Sequence, residues 1–102
     1  MTSPPDNASA ELIPEPEYML RLYTSGQTVT SARAIVNIRR FCEEHLVGKY
    51  HLEIVDVVQH PEVAAADQII ALPTLVRQKP LPLRRFIGDL SHTERLLARM
   101  QG

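Results

Sequence analysis

The chain holds a single cysteine, Cys42, among its 102 residues. One thiol excludes an internal disulfide framework, a CxxC redox pair and any cysteine-based zinc site. Glycine is scarce, and the four at 26, 48, 88 and 102 are too scattered to build a phosphate-cradling loop. The histidines, His45, His51, His60 and His92, form no HxH or HExxH spacing, so neither a metal nor a cofactor is expected. No run approaches the roughly 20 apolar residues of a membrane span. No basic stretch leads into an apolar one at the start, which reads as no signal peptide and makes a reducing cytoplasm the expected location. A net charge of -1 gives no whole-chain reason for a nucleic-acid or membrane partner.

What is present suffices for one small domain. Apolar residues make up 44% of the chain and charged residues 23%, ordinary figures for a packed unit of this size. The organisation changes near residue 17. Residues 1–17 hold Pro4, Pro5, Pro14 and Pro16, half of the eight prolines, together with Asp6, Glu11, Glu15 and Glu17 and no Lys or Arg. Such a stretch buries too little apolar surface to offset chain entropy and reads as a disordered acidic tail. Residues 18–102 are the folded domain. They carry all 11 basic residues and eight of the 12 acidic ones, a net +3 that suits an acidic protein surface better than nucleic acid.

Periodicity gives the element order. Residues 18–23 are rich in aromatic and aliphatic side chains and read as a strand. The loop Thr24-Ser25-Gly26-Gln27-Thr28 offers several N-caps. From 29 to 47, the spacing of Ala32, Ile35, Ile38, Cys42 and Leu46 at intervals of three and four traces one helix face, and Gly48 is the stop. Residues 51–58 are β-branched and read as a strand. Pro61 opens a two-turn helix. Short strands at 74–76 and 84–87 flank a proline-rich turn at 79–82, and Ser91-His92-Thr93-Glu94 matches a capping box opening a last helix to Met100. The order βαβαββα is the thioredoxin-like arrangement, an α/β fold with a central mixed sheet and helices on both faces.

Redox folds of this arrangement keep their reactive thiolate at the loop before the first helix. Here that loop is Ser25-Gly26-Gln27-Thr28, without sulfur, and Cys42 sits on the apolar helix face as a small hydrophobe. Dithiol chemistry is excluded and no catalytic residue is expected. Asp56 reads as an ordinary strand-end carboxylate. Pro73, in Leu72-Pro73-Thr74, is a candidate for the cis isomer in a tight turn. Arg77, Lys79, Arg84 and Arg85 around the hairpin make a basic set suited to paired carboxylates.

Several stretches together resemble the circadian clock protein KaiB family. They are Leu20-Arg21-Leu22-Tyr23 with Gly26 after it, Ser31-Ala32-Arg33-Ala34, Ile54-Val55-Asp56-Val57, Ala71-Leu72-Pro73-Thr74-Leu75 and Arg84-Arg85-Phe86-Ile87-Gly88-Asp89-Leu90-Ser91. The likeness runs from about residue 18 to 100. The chain is similar, less closely, to the thioredoxin-like sensor domain of the clock-output kinase SasA.

The resemblance implies a non-enzymatic adaptor that binds a KaiC-type ATPase ring, and with it a KaiA-like protein. It implies a second, ground-state α+β fold, dimeric or tetrameric, that interconverts with the thioredoxin-like form through the C-terminal half. Matched position by position, Arg33, Arg77, Arg84 and Arg85 become the partner-binding candidates, and Pro73, Gly88 and Asp89 the structural and switching ones. The chain departs from the family in its longer acidic N-terminal tail, in Ala64-Ala65-Ala66, in Gln68 where lysine is usual, and in stopping at Gly102. The early stop makes a protein held mainly in the thioredoxin-like form one expectation, and a homologue that works with a KaiC-like ATPase and no KaiA another. The other function consistent with the residues is a general thioredoxin-like interaction module in stress or signalling.

Overall fold

The computed structural model describes residues 15–101. The tail expectation for 1–17 therefore falls largely outside the described residues. In chain order the elements are β1 (Tyr18–Thr24), α1 (Val29–His45), β2 (Tyr50–Asp56), α2 (Pro61–Ala66), β3 (Thr74–Lys79), β4 (Arg84–Ile87) and α3 (Thr93–Gln101). The sheet order is β2-β1-β3-β4, with β1 parallel to β2 and antiparallel to β3, and β3 antiparallel to β4.

Strand alternation divides the side chains between two layers. Leu20, Leu22, Leu75 and Phe86 face α1 and α3 and pack with Ala34, Ile38, Phe41, Cys42, Leu96 and Met100 into the main core. Tyr23, Val55 and Val76 face the other way, beneath α2, against Val63, Ala64 and Ile69. One sheet thus carries a thick apolar layer on one side and a thin one on the other.

The helix over α1 forms where its periodicity predicts, but its buried stripe is Ser31, Ala34, Ile38, Phe41 and Cys42, and Ala32 is exposed. The cap sets the phase. Thr28 accepts from the Ser31 N–H at 3.2 Å, and Ser31 turns inward, its hydroxyl oxygen accepting from the Ser25 N–H at 3.0 Å. A polar residue fills the slot that hydropathy assigned to Ala32. After the helix, Lys49 N–H reaches Leu46 C=O at 2.9 Å, and Gly48 takes φ +72° in that turn, a conformation that costs other residues more.

Three further expectations change. The second strand stops at Asp56, because the Asp56 carboxylate accepts from Val58 N–H at 2.9 Å and curls the chain into a turn. The third strand runs on to Lys79, since β1 pairs with it to that point. Ser91 makes no capping box. Its N–H instead donates to the Asp89 carboxylate at 3.1 Å, and α3 starts at Thr93. The peptide before Pro73 is cis, as are those before Pro80 and Pro82.

Candidate interaction site

The ends of β1, β2 and β4 and the start of β3 lie along one edge of the sheet, and short loops there are tied to one another. Gly26 N–H donates to the Asp56 carboxylate at 3.1 Å, so Asp56 holds two loops by backbone contacts. Gly88 N–H donates to Pro73 C=O at 3.0 Å, and the Asn37 side chain donates to Asp89 C=O at 2.8 Å. Pro73, Gly88 and Asp89 are thus brought together beside α1. The Asp89 carboxyl sits below the usual carboxylate range, chiefly because the Ser91 hydroxyl and N–H bond it, with Arg33 and His92 adding favourable charge.

This rim is apolar as well as tied. Val29, Val58, Ile70, Leu72 and Ile87 come from four different loops or element ends and all expose their side chains, Ile70 at 95% and Ile87 at 67%. The loop at 25–28 holds hydroxyls and no thiol. Cys42 is buried under the sheet, and burial, then the Glu43 charge, push its thiol up to about 12. Among the described residues no group of three or more His, Cys, Asp or Glu lies close enough to hold a metal ion.

The four candidate arginines do not share a patch. Arg33 is exposed on α1, near Asp89. Arg85 lies on the α2 side, its guanidinium donating at 3.1 Å to the carbonyls of both Asp67 and Gln68. Arg84 is half-buried at the hairpin end of β4, on the opposite side of the sheet. Arg77 corrects the expectation of a surface basic set: it is 0% exposed and offers no guanidinium to a docked surface in this fold. Its guanidinium donates to Met100 C=O at 2.6 Å and to Pro82 C=O at 2.8 Å, joining the last turn of α3 to the hairpin. Burial, and then the neighbouring Arg84 charge, lower its pKa, but an arginine keeps its charge there.

Sequence reasoning missed a second polar group on the α2 side. Arg21 bonds Glu53 at 2.8 Å and Asp67 at 3.2 Å, and the Tyr23 hydroxyl also donates to Asp67. Together with Arg85 these contacts strap residues 67 and 68 to the sheet. The signal was present in β1, where Arg21 and Tyr23 alternate with Leu20 and Leu22 and so must share a face.

A four-stranded mixed sheet of this order, helices on both sides and a thiol-free loop before α1 define a thioredoxin-like domain without the redox pair. The shape agrees with solved structures. The N-terminal domain of Synechococcus elongatus SasA superposes with a TM-score of 0.70 at 16% identity, covering 86% of this chain and 82% of that one. Mitochondrial thioredoxin 3 from Saccharomyces cerevisiae gives 0.68 at 16% identity, covering 93% and 87%. Within that fold, the KaiB domain family model matches residues 21–101, and the chain belongs to the KaiB family. The circadian clock protein KaiB3 of Synechocystis is 48% identical over 79 residues, covering 78% of each chain. The circadian clock oscillator protein KaiB of Synechococcus elongatus is 43% identical over 84 residues, covering 82% of each. No helix among the described residues is long and apolar enough to cross a membrane.

Proposed function

We propose that this chain is a non-enzymatic clock or signalling adaptor that docks on a KaiC-type ATPase ring and modulates its phosphorylation and ATPase cycle. The observation that carries this reading is the tied apolar rim of Val29, Val58, Ile70, Leu72 and Ile87, standing where a redox relative would keep its thiols. Exposed apolar groups on a fixed frame supply binding area with little ordering cost. Arg33 stands beside that rim and meets carboxylates of the ring. Arg84 and Arg85 serve at its margins, and Arg77 positions the hairpin from inside. Pro73, Gly88 and Asp89 form the joint at which the rim is held, and any exchange with a second packing of the C-terminal half passes through it. A KaiA-like protein would bind only after the ring is engaged.

Size-exclusion chromatography with light scattering tests the reading, using the protein with and without the KaiC-type ATPase of its own genome in ATP. Co-elution, weakened at least tenfold by Ile70→Asp and by Ile87→Asp, is the expected result. Failure to co-elute after long incubation, with a monomeric free protein, overturns it and leaves a thioredoxin-like module with another partner. A tetrameric free protein with co-elution supports a resting assembly that must dissociate before docking.

A further inference from the structure

β4 is an edge strand, paired with β3 on one side and with no strand on the other among the described residues. Gly88 N–H donates to Pro73 C=O at 3.0 Å, and the antiparallel register runs from Thr74↔Ile87 to Arg77↔Arg84. Alternation from that bond turns the backbone N–H and C=O of Phe86 and Arg84 toward β3 and those of Arg85 and Ile87 outward. α3 runs back along this edge. It begins after the turn at 88–91, and Met100, near its end, is bonded through its carbonyl to Arg77, which stands opposite Arg84. A hollow of about 330 Å³ opens between strand and helix. Phe86, Ile87 and Leu90 border it on one wall, and His92, Arg95 and Arg99 on the other. Phe86 and Ile87 point to opposite sides of the sheet, so a hollow bordered by both reaches the outer edge of the strand.

The charges on the helix wall lack counterparts. Arg95 and Arg99 are exposed, stand four residues apart on one helix face, and repel each other there. Neither makes an ion pair among the described residues. Arg99 is held by Phe86, its guanidinium 5.5 Å from the ring centroid, and its N–H groups have no hydrogen-bond acceptor among the described residues. The one carboxylate bordering the hollow, that of Asp89, is already bonded by the Ser91 N–H at 3.1 Å. Two residues of an extended chain advance about 6.8 Å and four residues of a helix about 6 Å, so alternate side chains of a strand laid on β4 keep step with Arg95 and Arg99.

We propose that the outer edge of β4 takes an extended acidic segment of a partner protein as an added strand. An Asp or Glu at alternate positions of that segment meets Arg95 and Arg99, and an aliphatic residue between them lies beside Ile87. Its backbone bonds the outward N–H and C=O groups of Arg85 and Ile87, main-chain bonds giving affinity and alternate side chains specificity. Arg84, Arg85, Arg95 and Arg99 gather along this strand and helix, so a second copy of β4 would set like charges opposite one another, whereas carboxylates are drawn in. This edge adjoins the apolar rim, with Ile87 common to both, and its acidic strand does not require that a KaiC-type ring covers the rim.

NMR titration of the isotope-labelled full chain with the peptide Ac-Glu-Val-Glu-Val-Glu-Val-Glu-amide tests the pairing. The Arg85 and Ile87 amides shift and, with about nine-tenths of the protein bound, exchange about tenfold more slowly, while the Phe86 amide, already bonded to β3, hardly changes. Arg95→Gln combined with Arg99→Gln, both at exposed positions, weakens the peptide about tenfold, the loss expected of two partly exposed ion pairs. A peptide with lysine in place of each glutamate does not bind. No amide shift at about millimolar peptide, equal binding of the lysine peptide, or undiminished binding by the double variant overturns the proposal. So does a response confined to α3 amides, which marks a charge contact without strand pairing. Shifts of Arg85 and Ile87 that follow protein concentration without peptide also overturn it, since they give the edge to a second copy.

Discussion

Replacing Arg77 separates a buried structural cation from a surface docking one. Its guanidinium is wholly inside and holds two carbonyls, at 2.6 and 2.8 Å, one in the last turn of α3 and one in the hairpin turn. Hydrogen bonds from a charged donor contribute roughly 1.5–3 kcal/mol each, so two give about 3–6 kcal/mol gross. Burying the guanidinium takes back several kcal/mol. Arg77→Ala removes the bonds, leaves two carbonyls without this donor and opens a void, and is expected to destabilise by about 3–4 kcal/mol. Arg77→Met fills most of the volume and removes the buried charge, so about 1–2 kcal/mol is expected. Urea unfolding followed by far-UV circular dichroism reads both. With a slope near 1.5 kcal/mol/M, Arg77→Ala lowers the midpoint by about 2 M and Arg77→Met by about 1 M. Hydrogen exchange in both variants rises first in the last turn of α3 and the 79–83 turn. Loss of less than about 1 kcal/mol in Arg77→Ala, or equal loss in the two variants, refutes the idea that the carbonyl contacts carry the stabilisation.

Tyr50 donates to the Glu43 carboxylate at 2.6 Å, and that bond pushes its phenol up to about 12. The raised value means the fold gains from this pair fully below pH ~10 and loses it as pH climbs toward 12. Tyrosinate absorbance should therefore include a phenol that ionises late and that Glu43→Gln returns to the ordinary range. The Cys42 thiol, buried and raised to about 12, should ignore Ellman's reagent at pH 8 in the native protein and react at once in 6 M guanidinium. Asp67→Asn weakens the Arg21 and Tyr23 contacts, and exchange of amides at 67–72 should quicken several-fold with the global midpoint shifted by about 1 kcal/mol or less.

How much of this was readable in advance depended on range. β1 announced its two faces through Leu20 and Leu22 against Arg21 and Tyr23, and the order of all seven elements followed from local pattern. The stripe on α1 was misplaced at Ala32 because a hydropathy scale cannot see that Ser31 has a donor waiting at Ser25. The capping box at Ser91 failed for a similar reason, since Asp89 competes for the same N–H. Arg77 was misjudged because its acceptors lie 23 residues away on α3 and across the hairpin. Arg85 and Asp67 likewise meet only when β4 and α2 are folded onto one sheet. The rim escaped the sequence because its apolar residues come from four segments and no segment alone looks unusual.

The central place of β1 has a mechanical consequence. By strand pairing, the part from residue 74 onward is joined to the sheet through β3, which bonds β1 on one side and β4 on the other. The β1-α1-β2 unit carries its own parallel pairing and its own helix and does not need β3 to be registered. By strand pairing the sheet is therefore divided at the seam between β1 and β3, and the packing of α3 on α1 fastens the two parts from one side. Pulled from its two ends, the protein should part there, releasing hairpin and last helix as one piece while the first half stays paired. Any rearrangement of the second half must open that seam and also release the Asn37–Asp89 bond and the packing of Leu96 and Met100 on α1.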